Sequence, residues 1–169
     1  YPSVFMLVAA MNPCPCGYLG DSTKECSCTS NQILAYQKKL SGPLIDRIDL
    51  RVNVSKVPNE KLLASNTMTN KQHITSVNMI NNAKKMQRIR YNSSTIYNSS
   101  LSNSQIKRYV KLTNRAQSLL LSASDKLNLS GRGYFKVIKI ARTIADLDEK
   151  VEISEEHISE ALQYRIITT

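Results

Sequence analysis

Four cysteines packed into one short polar loop constrain this chain more than any other feature. Cys14-Pro15-Cys16 and Cys26-Ser27-Cys28 form two C-x-C pairs separated by nine residues. A loop this short and polar has too little apolar surface to fold by burial, and a tetrahedral four-thiolate metal site would supply the missing stabilisation. Structural zinc uses C-x₂-C knuckles more often than C-x-C. Four clustered thiols in a chain without secretory features nevertheless favour a metal over disulfides. The competing reading is four reduced, unligated cysteines, or a disulfide formed on purification. A redox role ranks third, because no helix start or basic neighbour in the sequence marks one thiol for a lowered pKa.

The flanks of the loop carry a fold-level signal. Val4 to Met11 is an eight-residue apolar run, too short for a membrane span and suited to a strand buried in a sheet. It ends at Asn12-Pro13, which presents Asn12 at the carboxyl edge of such a sheet, where ligands bind. After the cysteines, Ile33, Leu34, Tyr36, Gln37 and Leu40 share one side of a short helix over 31–40 that Ser41-Gly42-Pro43 stops. Leu50, Val52 and Val54 then alternate with Arg51 and Asn53, as in a half-buried strand. Beyond Val57-Pro58-Asn59 the pattern is helical. A long helix over Gln72–Tyr91 puts Ile74, Val77, Ile80 and Ala83 on one side. Ser102 opens a capping box with Gln105. Thr113 caps a helix with Ala116, Leu119, Leu120, Ala123 and Leu127, and Ser130 caps one with Tyr134, Val137, Ile138, Ala141, Ile144 and Ala145. Ser154 starts the last, carrying Ile158, Ala161, Leu162 and Arg165. The expected architecture is an α/β fragment over 1–57 that carries the Cys-rich loop, followed by an all-α bundle over 58–169. Tyr91 to Ser102 reads as a mobile polar loop, and His73 and His157 as isolated surface residues.

Three ordered blocks carry a family resemblance. They are Ala9-Ala10-Met11-Asn12-Pro13-Cys14-Pro15-Cys16-Gly17-Tyr18, then Ser41-Gly42-Pro43-Leu44-Ile45-Asp46-Arg47-Ile48-Asp49-Leu50, then Ser130-Gly131-Arg132-Gly133-Tyr134 running on to Leu147. Together they resemble the Mg-chelatase-like AAA+ ATPases of the ComM/YifB type. The resemblance implies that Asn12 lies at the end of the sensor-1 strand. It implies that Arg47 is an arginine finger reaching the ATP of the next subunit, and that Arg132 is the sensor-2 arginine. A guanidinium suits both tasks because it is always charged and can stabilise charge on a transferring phosphoryl group. By sequence alone, Arg47 paired with Asp46 or Asp49 at a surface turn is the rival reading. Arg142 is expected to pack or pair with an acid such as Asp146. The resemblance further implies ATP and Mg²⁺ as cofactors and a homo-oligomeric, hexameric ring as the assembly.

What is missing shapes the functional expectation. No G-x-x-x-x-G-K-[ST] phosphate loop and no Walker B acidic pair occur. The chain therefore reads as the C-terminal part of a longer protein, inactive towards ATP by itself. Its formal charge of +10 is uneven, with fifteen Lys/Arg against Asp125 alone between Lys61 and Arg142, and seven acids against Lys150 from Asp146 to Glu160. Such a basic block suits a polyanion, ATP phosphate or nucleic acid, and equally a solvated lysine-rich surface. Tyr91 and Tyr97 beside basic residues could stack on single-stranded bases. With no signal peptide or apolar span, a soluble cytoplasmic protein is expected. The leading expectation is a DNA branch-migration or helicase motor of transformation or recombination. Its rivals are a metal-inserting chelatase motor and a zinc-stabilised nucleic-acid-binding module that needs no ATPase ring.

Overall fold

The computed structural model describes residues 5–54, 57 and 67–165. The chain forms two compact units, Tyr1–Arg47 and Ile48–Thr169. The expected break at Val57-Pro58-Asn59 falls largely outside the described residues, as does Val4.

In the first unit, residues 5–11 form no regular secondary structure and lead into the cysteine loop. Two helices follow, α1 (Ser30–Gln37) and α2 (Gly42–Arg47). Helix α1 starts where it does because Thr29 and Gln32 form a reciprocal capping box. The Thr29 hydroxyl accepts the Gln32 amide at 3.3 Å, and the Gln32 side chain accepts the Thr29 amide at 2.9 Å. Ser41 performs the same service for α2, accepting the Leu44 amide at 3.3 Å.

The expected α/β fragment is not formed. Among the described residues there is no strand ladder, and the one bridge is a parallel pairing of Leu112 with Ile153 in the other unit. An extended segment becomes a strand only when a neighbour exchanges backbone hydrogen bonds with it. Phe5, Met6 and Val8 are 75%, 87% and 83% exposed, so an apolar run with strand composition here has no sheet to enter. Likewise Leu50–Val54 meets no strand, and Arg51 N–H donates instead to Tyr164 O at 3.0 Å. The architecture of the described residues is helical with irregular connecting segments.

The second unit is a helical bundle. Its elements are α3 (Thr67–Tyr91), a 3₁₀ turn (Asn98–Ser100), α4 (Asn103–Tyr109), α5 (Asn114–Lys126), α6 (Gly131–Leu147) and α7 (Glu155–Gln163). Ser102, Thr113 and Ser130 each take the amide three residues on, at 3.3, 3.2 and 3.0 Å. Helix α6 is central and packs against α3, α4, α7 and the 3₁₀ turn, while α5 lies on α7. Its apolar stripe of Val137, Ile138, Ala141, Ile144 and Ala145 meets Leu120, Ile153, Ile158 and Ala161 in one core. The last helix ends at Gln163, so Arg165 lies past it.

Three details differ from the sequence pattern. Ile74, Val77 and Ile80 of α3 are exposed, and burial begins at Ala83. The polar segment 91–102 is anchored in the core: Tyr91, Asn98 and Leu101 are buried, and Tyr91 meets Tyr109 edge-on at 5.4 Å. His157 is buried too, because its Nδ1 accepts the Ser154 amide at 2.9 Å and its Nε2 lies 3.2 Å from Asp148.

A polar knot sits inside this core. Asp146 and Arg142, 0% and 1% exposed, pair at 3.0 Å one helical turn apart. This is the pairing the sequence suggests. Arg90 binds the same carboxylate with both terminal nitrogens. Arg142 also donates to the Val151 carbonyl at 2.6 Å and to that of Lys150. Burial alone lowers the affinity of both guanidiniums for their protons. For Arg90 the bond to Asp146 overturns that effect and raises it, whereas for Arg142 burial prevails.

Candidate functional site

The four cysteines converge. Cys14 Sγ lies 3.4 Å from Cys16 Sγ and 3.6 Å from Cys26 Sγ, Cys16 and Cys26 are 3.5 Å apart, and all four sulfurs fall within 4.8 Å of one another. Zinc–thiolate bonds of about 2.3 Å in a tetrahedron space the sulfurs about 3.8 Å apart, so this donor set fits one Zn²⁺ with little movement. Cys14 is buried and the other three are half-buried. Glycines make the loop possible: Gly17 and Gly20 take φ of +83° and +82°, where a side chain is strained. A tight turn closes by Gly17 N–H donating to Cys14 O at 3.1 Å.

The electrostatics call for a cation. The Tyr18 amide, helped by the Cys14 and Cys28 thiols, holds Cys16 down to about 5 against desolvation. Cys26 is stabilised as a thiolate by the Cys28 amide, yet desolvation and the Cys16 and Cys14 sulfurs push it up to about 12. Cys28 is raised as well, because desolvation and Cys16 outweigh the amide of Cys16 that favours its charge. Sulfurs this close cannot all be anionic without a shared positive charge, and a thiolate-bound dication supplies one.

The residues expected to serve a nucleotide are placed separately. Asn12 is exposed at the start of the cysteine loop, its amide over Gly17, where a Cβ would meet Asn12 Nδ2 at 3.5 Å. Arg47 is exposed and ends α2, where its charge complements the helix dipole. Arg132 lies in the other unit, exposed in the first turn of α6, a position where helix amides favour an anion. For ATP and Mg²⁺ the chain thus offers two exposed guanidiniums, a polar amide and a helix start, which suit contacts to phosphate. It offers no phosphate loop to cradle the nucleotide.

The charged segments are partly spent on the fold. Arg90 and Arg142 serve Asp146, Lys136 pairs with Asp49 at 2.8 Å, and Lys139 donates to Ser99 O at 2.8 Å. Asp148 serves His157 and Glu149 accepts from Asn82 at 2.7 Å. Lys84, Lys85, Arg88, Lys107, Arg108, Lys111 and Arg115 remain exposed, as contact with a polyanion requires. Sequence reasoning missed Asn98, which is buried and bonds to Thr143 and Asp146 in the helical core; its only signal was an Asn amid Ser and Tyr. No helix among the described residues is long and apolar enough to cross a membrane.

Comparison with known proteins bears on what this arrangement belongs to. Residues 1–62 match the family model of magnesium chelatase, subunit ChlI, and residues 70–165 match that of its C-terminal part. Competence protein ComM of Haemophilus influenzae is 36% identical over 165 residues, covering 98% of this chain and 31% of that protein. The uncharacterized proteins YifB of Escherichia coli and Salmonella typhimurium are 35% and 34% identical over 168 residues, covering 99% of this chain and 32% of each of them. The chain spans about a third of the length of these relatives. Taken with the four-cysteine loop and the capped helices that follow it, these matches place the chain in the magnesium-chelatase subunit family, among its ComM/YifB-type members.

Proposed function

We propose that this chain is the sensor and helical part of an oligomeric AAA+ ATPase that moves branched DNA. The observation that carries the reading is the family match across both 1–62 and 70–165, which includes the blocks holding Asn12, Arg47 and Arg132. In this reading the working assembly is a homo-oligomeric ring, a hexamer, in the cytoplasm. ATP and Mg²⁺ are its cofactors, and phosphoryl transfer is the chemistry they supply when bound. Arg47, exposed at the end of α2, reaches a neighbouring subunit and stabilises charge on the transferring group. Arg132, at the start of α6, binds phosphate and couples the bundle to nucleotide state. Asn12 orients a polar group at the same site, and the four thiolates hold a structural Zn²⁺. The competence protein ComM among the relatives and the exposed basic residues of α3 to α5 favour DNA as the cargo. A chelatase motor that inserts a metal is the second reading, supported by the name of the matched family.

The test uses the full-length protein. ATP turnover is measured with and without branched DNA in wild type, in Arg47→Ala, in a phosphate-loop variant, and in an equal mixture of the two variants. Loss in each variant, partial recovery in the mixture and stimulation by DNA are expected. Undiminished turnover in Arg47→Ala sinks the finger assignment, and indifference to DNA moves the chelatase motor to the front.

A further inference from the structure

We infer that one Zn²⁺ held by Cys14, Cys16, Cys26 and Cys28 takes the place of a hydrophobic core in residues 12–47, and thereby fixes where Arg47 stands. This rests on the zinc half of the preceding reading and is independent of ATP and DNA. No residue of α1 or α2 is buried, and Cys14 is the sole buried residue among the described residues of the first unit. Among the described residues, every member of the hydrophobic core lies in the second unit. Helices as short as α1 and α2 are marginal in water, since isolated helices need at least about 12–15 residues. Among the described residues, no apolar burial orders them.

The sulfur cluster is placed to do so. Cys28 directly precedes Thr29, the residue that caps α1. At the far end of the same helix, Gln37 Nε2 donates to Pro13 O at 3.4 Å, beside Cys14. Both ends of α1 are thus tied to the loop that the metal closes. From Gln37 the path onward is short and locally bonded. Lys39 N–H donates to Tyr36 O at 3.2 Å and Leu40 N–H to Gln37 O at 3.1 Å, and Ser41 then caps the helix that ends at Arg47. Four protein sulfurs fill a tetrahedral site and leave no open position, so the ion is structural and performs no catalysis. Arg47 is positioned by the metal centre without touching it.

The experiment measures zinc content of the purified full-length protein and the absorption spectrum after exchange for Co²⁺. Amide hydrogen exchange is then compared before and after chelation, with Cys26→Ser as a second route to the metal-free loop. About one zinc per chain is expected, with a tetrahedral thiolate Co²⁺ spectrum. Chelation should cut protection over 30–47 by at least ~10-fold and leave 131–162 unchanged, since the latter have their own core. Zinc that binds and leaves without changing exchange over 30–47 overturns the inference and keeps the zinc reading. A protein that holds neither zinc nor Co²⁺ overturns both, and neither result depends on ATP turnover. If Cys26→Ser proves insoluble, chelation of the wild-type protein alone decides.

Discussion

Asn98 donates from Nδ2 to the Asp146 carboxylate across 2.9 Å, joining residues 48 apart in the sequence at the centre of the helical unit. The same amide group reaches Thr143 Oγ1 at 3.0 Å, and its carbonyl oxygen accepts from Tyr91 Oη at 2.5 Å. Its backbone amide donates to Gln87 Oε1 at 3.0 Å. Asn98 therefore pins the 3₁₀ turn to α3 and α6 at once. Buried polar groups so fully satisfied rigidify a core, whereas each one left without its partner costs stability.

Asp146→Ala removes the acceptor shared by Arg90, Arg142 and Asn98. Two guanidiniums then stay inside the bundle without a counter-charge. Breaking a buried pair in this way costs about 3–5 kcal/mol. Urea unfolding of the chain, followed by helical circular dichroism, should show that loss. A change under about 1 kcal/mol, the range of an exposed pair, would mean that the knot contributes nothing specific.

Tyr91→Phe isolates the hydroxyl with little change of shape. It leaves Asn98 Oδ1 without its donor and should cost about 1 kcal/mol. Burial raises the Tyr91 phenol above its ordinary value near 10, with Arg90 acting against it. The unfolded state therefore ionises first. The contribution is whole below the ordinary value and is lost as pH rises through the folded one. Unfolding midpoints measured from neutral pH into the alkaline range should fall less steeply in Tyr91→Phe than in wild type; equal slopes would remove Tyr91 from the account.

Much of the bundle was legible because its determinants are local. Ser102, Thr113 and Ser130 cap helices where a hydroxyl precedes an apolar period, and Arg142 finds Asp146 because they lie one turn apart. Asn98 and His157 were illegible because their partners come from other elements or from the helix start. Nothing in YNSS distinguishes an open loop from one whose Asn is swallowed by a core. The sheet misled for a related reason. Strand composition in Phe5–Met11 reports what a segment could pair with, and pairing needs a neighbour that the described residues do not provide. The cysteines were readable as a group, since four thiols in one loop meet whatever the fold around them; the exposed positions of Asn12, Arg47 and Arg132 agree with contact to a ligand without identifying it.

Ser154→Ala should change the titration of Glu156. The Ser154 side chain holds the Glu156 carboxyl below the ordinary glutamate value, with the Glu156 amide assisting. A depressed carboxylate stabilises the fold above its unfolded value, and that stabilisation fades as pH falls through the folded one. Carboxyl carbon shifts followed by NMR from neutral to acid pH should give Glu156 a lower titration midpoint in wild type than in Ser154→Ala. The same midpoint in both proteins would show that Ser154 has no hold on it.

Gly17 offers the last test, because it separates backbone strain from lost space in the cysteine loop. At φ +83° any L side chain is strained, by about 1–2 kcal/mol for most residues, while Asn tolerates this region better. A Cβ at Gly17 would sit 3.5 Å from Asn12 Nδ2, an ordinary contact, so the obstacle is backbone conformation and not crowding. Gly17 also lies between Cys16 and Tyr18, whose amide is the strongest influence on the Cys16 thiolate. Gly17→Val should therefore weaken zinc retention against a competing chelator by about 10-fold, the equivalent of about 1.4 kcal/mol, while Gly17→Asn stays near wild type. Gly20, with the same sign of φ and open space around it, stands four residues past Cys16, and Gly20→Val should retain more zinc than Gly17→Val. Equal retention in all three variants would show that the turn following Cys16 does not set the geometry of the sulfurs.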